Sequence, residues 1–224
     1  MAAMQTEPRP SLMAEASPAL RAAIERVAKP VTLEPAAVLF SQNDAAESLY
    51  ILDEGEIEIS VLSAGGRKLG LEIITAGEIF GEIGLFAGRR TASATALGRT
   101  RLRTVRRAEL MAAIEHEPKL ALEFIDILCE RLRIVSEKLE DRWFLPLPTR
   151  LARRLLHLAE KLAAANGRIP VSQSDLADFA GATRESVARA LAVWREQGWV
   201  ELSRGAIRIT NQQALEALAA AEDE

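Results

Sequence analysis

The chain has 224 residues, of which 49% are apolar and 27% are charged, and its formal net charge is −4. This composition is typical of a globular protein and excludes a disordered or fibrous chain. A single cysteine, Cys129, excludes an intramolecular disulfide framework and a four-cysteine metal or iron–sulfur site, and it favours a reducing, cytoplasmic location. No apolar run reaches the roughly 18 residues of a membrane span and no secretory signal opens the sequence, so we expect no membrane partner.

Short strands separated by glycines fill the first half of the chain. Residues 1–17 have no sustained period and predict a loose N-terminus, after which a proline opens a short helix over 18–28. Apolar and polar residues alternate over 56–61, which predicts a half-buried strand, and the glycines of 64–66 predict a hairpin turn. Further strands are predicted over 49–52, 91–95 and 102–105. This pattern is typical of a small antiparallel roll or barrel.

A long helix is predicted over 118–143. Its apolar residues recur in alternating steps of four and three, as in the heptad seam of a coiled coil: Ala121, Ile125, Leu128, Leu132, Val135 and Leu139. A helix packed on its own barrel would show the same stripe, but the charged residues on the other faces favour a parallel dimer helix. The two prolines of 144–148 predict a stiff hinge, and a further helix is predicted over 149–165.

The final part of the chain has the local signals of a winged helix-turn-helix. Ser172 and Asp175 form a capping box that opens a short helix, and Gly181 allows a tight turn. Thr183 then caps a second helix that ends near residue 197. The segment 199–209 predicts a hairpin wing after that helix.

The second of these helices has one apolar stripe and one polar face. The stripe has helical spacing and predicts the buried side: Val187, Ala190, Leu191 and Trp194. Arg184, Glu185 and Arg189 lie opposite, where an arginine fork matches guanine O6 and N7 and a carboxylate can accept from cytosine N4. The other candidate DNA contacts are Gln173, Ser186 and, in the wing, Arg204. A merely solvated face is the alternative, but the caps, turn and wing together favour double-stranded DNA.

A glycine-rich cassette at 77–92 lies between predicted strands. Its glycines allow backbone N–H groups to converge on an anion, and a short helical turn adds its positive end. Arg90 can bind a phosphate through a bidentate fork, and Glu82 can accept a hydrogen bond from a ribose hydroxyl. A glycine-rich hairpin with surface charges is the alternative, but the combination inside a barrel favours a phosphate site.

Three motifs in this order resemble the cyclic AMP receptor protein (CRP/FNR) superfamily of bacterial transcription regulators. They are F-G-E-I-G-L-F with R-R-T-A in the cassette, I-V-S-E-K-L-E before the hinge, and R-E-S-V-A-R in the second helix. The resemblance implies an α+β fold with an N-terminal β-roll cyclic-nucleotide-binding domain, a long dimerisation helix and a C-terminal winged helix-turn-helix. The implied domains are the roll at 18–117, the dimerisation helix at 118–143, the hinge at 144–148 and the DNA-binding domain at 149–224.

The resemblance also implies a pocket for cyclic AMP. Arg90 matches the arginine that binds the cyclic phosphate, Glu82 matches the ribose contact, and Ser136 matches a residue that reaches the nucleotide from the partner subunit. The complete implied pocket consists of Ile59, Leu71, Ile74, Phe80, Gly81, Glu82, Ile83, Arg90, Thr91, Ala92, Arg131, Val135 and Ser136.

One position departs from the pattern of the cyclic AMP receptor. The threonine that contacts the adenine amino group there is replaced by Val135, which donates no hydrogen bond. Thr91 is similar to the threonine in the R-T-A motif of cyclic-GMP-binding domains. Cyclic AMP is therefore the leading ligand, while cyclic GMP or dual binding stays open, as does a purely structural role for Val135 in the seam.

The resemblance implies a homodimeric regulator that binds palindromic DNA with TGTGA-like half-sites and contacts RNA polymerase. The acidic polymerase-contacting patch of the family is not recognisable in the turn at 64–68, so activation and repression both stay open. A regulator of the same fold that is ligand-independent or senses another small molecule is the alternative, and the retained Glu82, Arg90 and Ser136 oppose it. A haem sensor of this fold is disfavoured because neither His116 nor His157 has a haem context. An enzyme is disfavoured because no nucleophile–base–orienter set or metal spacing occurs and because an enzyme would leave the winged helix unexplained.

Overall fold

A computed structural model describes residues 17–164 and 166–221, apart from the side chains of Ala19, Lys138 and Arg142. These residues form two units, one made of 17–61 and 73–133 and the other of 62–72 and the described residues from 134 onward. The N-terminus predicted to be loose lies outside the described residues except for Ser17. No described helix combines the length and apolar character needed to cross a membrane.

The strands of the first half build a roll of two four-stranded sheets. Their bounds are β1 Lys29–Leu33, β2 Val38–Phe40, β3 Ser48–Glu54, β4 Ile57–Leu62, β5 Lys68–Ile74, β6 Ile79–Phe80, β7 Ser93–Ala96 and β8 Thr100–Arg106. One sheet has the order β1-β8-β3-β6 and the other the order β2-β7-β4-β5. Neighbouring strands such as β1 and β8, β3 and β6, and β2 and β7 pair in antiparallel register.

The helices of the first half cover this roll. They are α1 Pro18–Val27, α2 Glu82–Ala87, α3 Arg107–His116 and the first part of α4, Lys119–Phe144. One core cluster joins Leu20 and Ile24 of α1 to Leu49 of β3 and Phe124 of α4. Ser17 caps α1 and donates from Oγ to a Glu123 carboxylate oxygen at 2.6 Å, which fixes the start of α1 against α4.

Strand β4 differs from its sequence prediction. Alternation of apolar and polar residues predicted a strand with one solvated face, but Glu58 is 6% exposed and Ser60 is 5% exposed. Ile57 is also buried, and Ile59 is half-buried against the same core cluster. Side chains on both faces of β4 are therefore buried, and the exposed residue of the strand is Leu62 at its end.

Helix α4 uses two faces, and this divides the predicted seam. Leu120, Phe124 and Ile127 are buried in the core of the first unit. Of the predicted seam, Ala121 and Leu128 are half-buried. The apolar residues that stay exposed along α4 are Leu122, Ile125, Leu132, Val135, Leu139, Trp143 and Phe144. The helix therefore packs on its own roll and also keeps an exposed apolar edge.

The helix after the predicted hinge has other bounds than expected. Helix α4 ends at Phe144, and α5 begins at Leu147 and ends at Leu162, rather than spanning 149–165. Pro148 lies in the first turn of α5, where a missing N–H removes no intrahelical hydrogen bond. The helical path is therefore interrupted once, around Pro146, within the segment predicted as the hinge.

The second unit contains the helix-turn-helix and its wing. Its further elements are β9 Arg168–Ile169, α6 Gln173–Ala180, α7 Arg184–Glu196, β10 Val200–Ser203, β11 Ala206–Ile209 and α8 Gln212–Ala220. The three strands form a sheet of order β10-β11-β9. Residues 62–72 of the β4–β5 hairpin belong to this unit, where Glu72 Oε1 lies 2.7 Å from His157 Nε2.

Candidate nucleotide pocket and DNA-binding surface

The cassette folds into a tight strand–helix connection that returns to Arg90. Strand β6 ends at Phe80, Gly81 adopts φ +81°, and α2 starts at Glu82. A Cβ atom on Gly81 would lie 2.8 Å from Arg90 Nη1 and 3.3 Å from a Tyr50 ring carbon. Both the left-handed backbone and this close approach require glycine.

Arg90 is a buried cation with a free donor. It is 4% exposed. Its Nη1 donates to the Gly81 carbonyl at 3.1 Å and its Nη2 donates to the Tyr50 hydroxyl at 3.3 Å. Its Nε is buried and has no hydrogen-bond partner among the described residues. Because an unpaired buried donor costs about 1–3 kcal/mol, more when charged, this arrangement favours an anionic acceptor at the site.

Glu82 and Arg131 form a second polar pair in the first unit. Glu82 is 2% exposed, and its Oε1 lies 3.5 Å from Arg131 Nε, close enough for an ion pair but not for a well-formed hydrogen bond. Arg131 Nη2 donates to the Ile79 carbonyl at 2.9 Å, which holds the guanidinium in place. Burial raises the pKa of the Glu82 carboxyl, and the attraction of Arg131 only partly opposes this.

Most of the predicted pocket residues outside this polar group lie in or beside the roll core. Ile74, Phe80 and Ala92 are buried, and Ile59 is half-buried. Ile83 is 42% exposed, and Thr91 is exposed as well. Leu71 is half-buried and Val135 and Ser136 are exposed; these three belong to the second unit. The expected approach of Ser136 to a nucleotide in the partner subunit stays a prediction.

Sequence reasoning missed two aromatic residues at Arg90. The Arg90 Cζ atom lies 4.1 Å from the centre of the Phe40 ring and 5.2 Å from that of Tyr50. The Phe40 and Tyr50 rings stack on each other with centroids 5.7 Å apart. Both residues lie 40 or more positions before Arg90, so no local motif connects them to the cassette.

The predicted helix-turn-helix forms with its caps in place. Ser172 Oγ accepts from the Asp175 N–H at 3.1 Å, and Asp175 accepts in return from the Ser172 N–H at 2.9 Å. Gly181 ends α6 with φ +61°, and Thr183 Oγ1 accepts from the Ser186 N–H to open α7. Val187, Leu191 and Trp194 are buried as predicted, and Ala190 is half-buried.

The opposite face of α7 is exposed near its N-terminal end. Arg184, Glu185 and Arg189 are all exposed, and Arg189 Nη2 donates to Ser186 Oγ at 3.1 Å. A hydrogen bond from its own backbone N–H, followed by one with the Thr183 side chain, lowers the pKa of Glu185. The Glu185 carboxylate therefore stays ionised near neutral pH and can accept from a base amino group.

The remaining candidate DNA contacts flank this face. Gln173 is half-buried in the first turn of α6, and Arg204 is exposed in the turn between β10 and β11. Gly205 beside it adopts φ +69°, which permits this two-residue turn. The sheet places a basic side chain at the tip of the wing, where a DNA backbone contact is stereochemically possible.

Comparison with known proteins matches both halves of the chain. The model of the cyclic nucleotide-binding domain matches residues 30–117, and that of the Crp-like helix-turn-helix domain matches 149–218. A CRP-like cAMP-activated global transcriptional regulator of Mycobacterium tuberculosis is 30% identical over 204 residues, covering 88% of this chain and 91% of the relative. The cyclic AMP receptor protein of Thermus thermophilus is 31% identical over 182 residues, which cover 81% of this chain and 83% of the relative.

Solved structures show the same architecture. FixK2 from Bradyrhizobium japonicum superposes with a TM-score of 0.73 at 26% identity and covers 87% of this chain and 98% of its own. The regulator TTHA1359 from Thermus thermophilus shares the fold with a TM-score of 0.76 at 22% identity. The match covers 87% of this chain and 100% of TTHA1359. The predicted α+β fold, with an N-terminal cyclic-nucleotide-binding roll and a C-terminal helix-turn-helix, is confirmed.

Proposed function

The chain belongs to the CRP/FNR superfamily of transcription regulators, and from this premise we propose that it is a homodimer whose affinity for palindromic DNA rises when cyclic AMP binds. The observation that carries the proposal is the buried Arg90, whose Nε has no hydrogen-bond partner among the described residues, in the same cassette as the buried Glu82. A cyclic nucleotide would supply both an anionic phosphate for the guanidinium and a ribose hydroxyl for the carboxylate.

Cyclic AMP is the proposed ligand, with cyclic GMP as its alternative. The relatives from Mycobacterium tuberculosis and Thermus thermophilus are named as a cAMP-activated regulator and a cyclic AMP receptor protein, which supports cyclic AMP. Val135 offers no hydrogen bond where the cyclic AMP receptor uses a threonine toward adenine, and Thr91 presents an exposed hydroxyl. These two residues keep cyclic GMP as a ligand to be tested against cyclic AMP.

The proposed dimer forms along α4. Ile125, Leu132 and Leu139 lie one heptad apart and are 53%, 67% and 56% exposed, respectively. Pairing two copies of this edge would remove these apolar side chains from water, which is the driving force of a coiled-coil seam. Arg131 and, from the partner subunit, Ser136 would then complete the nucleotide site, as the family pattern implies.

The proposed DNA contacts lie on α7 and the wing. Arg184, Glu185 and Arg189 would read base edges in the major groove of a TGTGA-like half-site, and a two-fold dimer would read a palindrome. Gln173, Ser186 and Arg204 would bind the phosphate backbone. Gating then requires that the nucleotide bind the DNA-competent conformation more tightly than the other conformation. A bound regulator of this kind would act through RNA polymerase.

The first test is fluorescence anisotropy on a labelled palindromic TGTGA–TCACA duplex at fixed salt, without nucleotide and with cyclic AMP or cyclic GMP. We expect cyclic AMP to tighten binding sharply. In the Arg90→Gln variant, the nucleotide concentration that gives half of the maximal increase in DNA binding should rise about 10- to 100-fold. The reason is that a hydrogen bond to a charged group contributes about 1.5–3 kcal/mol. Arg89→Gln is the matched control, since Arg89 is the adjacent arginine but is exposed.

Each unexpected result has a specific meaning. Equal DNA affinity under all three conditions would contradict gating and leave a ligand-independent regulator or a sensor of another small molecule. A stronger effect of cyclic GMP would reverse the ligand assignment. An Arg90→Gln variant that responds like the wild type would contradict the phosphate role of Arg90. If the protein binds the duplex under none of the three conditions, the proposed half-site sequence is contradicted.

A further inference from the structure

The Arg90 guanidinium is held by an aromatic cluster as well as by hydrogen bonds. Phe40, Tyr50 and Phe80 pack together with ring centroids 5.3 to 6.4 Å apart, and the guanidinium lies over the Phe40 ring at 4.1 Å. Strand pairing creates this arrangement, since β2 pairs with β7 and Tyr50 of β3 lies opposite Phe80 of β6. The cluster restricts a side chain that is otherwise flexible.

The Tyr50 hydroxyl adds a directed contact to this cluster. Its oxygen accepts from Arg90 Nη2 at 3.3 Å, while the Gly81 carbonyl accepts from Nη1 at 3.1 Å. Both terminal nitrogens are therefore tied to the protein, and Nε is left without a hydrogen-bond partner among the described residues. Such a fixed guanidinium loses less conformational freedom when an anion binds than a mobile one would.

We propose that Tyr50 is a positioning residue of the phosphate site, whose hydroxyl orients the Arg90 guanidinium before the nucleotide arrives. This inference rests on the proposed function, because it takes Arg90 as the phosphate-binding group. Tyr50 acts through Arg90 and needs no contact with the base or the ribose. Its effect is therefore the same for every ligand that carries the same cyclic phosphate.

The chain provides its own spectroscopic reporter for this contact, because Tyr50 is the only tyrosine in the sequence. Protein labelled with tyrosine carrying ¹³C at the Cζ position gives one NMR signal. A bound phosphate would compensate the positive charge of Arg90 and so change the electric field at the Tyr50 phenol. The ¹³C signal should therefore shift when cyclic AMP binds. Burial raises the pKa of the Tyr50 phenol and Arg90 opposes this, so a bound anion should raise that pKa further.

Calorimetric titration of the Tyr50→Phe variant with cyclic AMP and with cyclic GMP tests the proposal. The substitution keeps the ring and removes only the hydroxyl. We expect the affinity for each nucleotide that binds to fall by the same factor, about two- to tenfold, as for the loss of an ordinary hydrogen bond. In an Arg90→Gln background, adding Tyr50→Phe should cause no further loss of affinity. In the Arg90→Gln single variant, which keeps the tyrosine, the NMR signal of Tyr50 should no longer shift when nucleotide is added.

Different outcomes separate this proposal from the proposed function. If the wild-type protein binds a cyclic nucleotide and Tyr50→Phe binds it equally well, the positioning role is overturned and the proposed function stands. A loss that is equally large in the Arg90→Gln background would also overturn it, since it would show a general structural effect. If the wild-type protein binds neither cyclic nucleotide, the proposed function fails and the role of Tyr50 fails with it.

Discussion

Glu82 is a buried carboxyl whose protonation couples the stability of the roll to pH. It is 2% exposed, and burial raises its pKa despite the Arg131 guanidinium at 3.5 Å. The native state therefore holds the proton more tightly than the unfolded state, whose carboxyl has the ordinary value of 4.5. The tighter proton binding stabilises the native state. This stabilisation is fully present below pH 4.5 and is lost as pH rises through the native pKa of Glu82.

The Glu82→Gln variant tests this coupling because glutamine cannot ionise. We expect the free energy of unfolding of the variant, relative to the wild type, to increase as pH rises from about 4.5 through the raised native pKa. Urea unfolding followed by circular dichroism at several pH values measures this difference. Glu34→Gln, which removes an exposed carboxyl, controls for the loss of one negative charge. A difference that is constant with pH would contradict the raised pKa of Glu82.

The residues around Arg90 show which members of the candidate site can be predicted from sequence and which cannot. Gly81, Glu82 and Arg90 lie within ten positions, so a local motif, together with the predicted barrel around it, was enough to predict a phosphate site. Phe40 and Tyr50 contact Arg90 only because antiparallel pairing brings distant strands together. Strand register depends on the whole hydrophobic pattern of the sheet, so no local motif could have identified these two residues.

The exposed apolar edge of α4 gives a prediction at the scale of the element. A Leu132→Glu and Leu139→Glu double variant places charges in the proposed seam, where each buried leucine would contribute about 1.5–3 kcal/mol. We expect the wild type to be a dimer and the variant to be a monomer with an intact roll. Light scattering coupled to size-exclusion chromatography measures the mass, and circular dichroism checks the fold.

A charge reversal away from the seam is the control for this experiment. Lys119→Glu alters the exposed first residue of α4 and should leave the dimer intact. A double variant that still elutes with the mass of a dimer would place the dimer contact elsewhere. A wild type that is monomeric at micromolar concentration would contradict the proposed dimer itself.

Elements with local signals were predicted more accurately than elements whose surroundings decide their burial. The capping box of Ser172 and Asp175 and the Thr183 cap lie within the helices that they define, so α6 and α7 follow directly from the sequence. Strand β4 looked half-solvated because Glu58 and Ser60 are polar, yet both are buried. Whether a polar face is covered depends on elements elsewhere in the chain, and alternation alone does not contain that information.

At the scale of the whole molecule, the charged residues proposed for the nucleotide and for DNA belong to different units. Glu82 and Arg90 belong to the first unit, and Arg184 and Arg189 belong to the second. Under the proposed function, a nucleotide held by the first pair would affect DNA binding through a conformational equilibrium of the protein. Coupling of this kind is reciprocal: if cyclic AMP tightens DNA binding by a given factor, DNA must tighten cyclic AMP binding by the same factor.

This reciprocity gives a prediction that does not depend on how the units move. Calorimetric titration of cyclic AMP should show about 5- to 150-fold tighter binding in the presence of saturating palindromic duplex than in its absence. A scrambled duplex of equal length carries the same phosphate charge and should cause a much smaller change. Equal nucleotide affinity with and without the palindrome would contradict gating even if the protein binds both ligands, because two ligands that favour the same conformation must strengthen each other's binding.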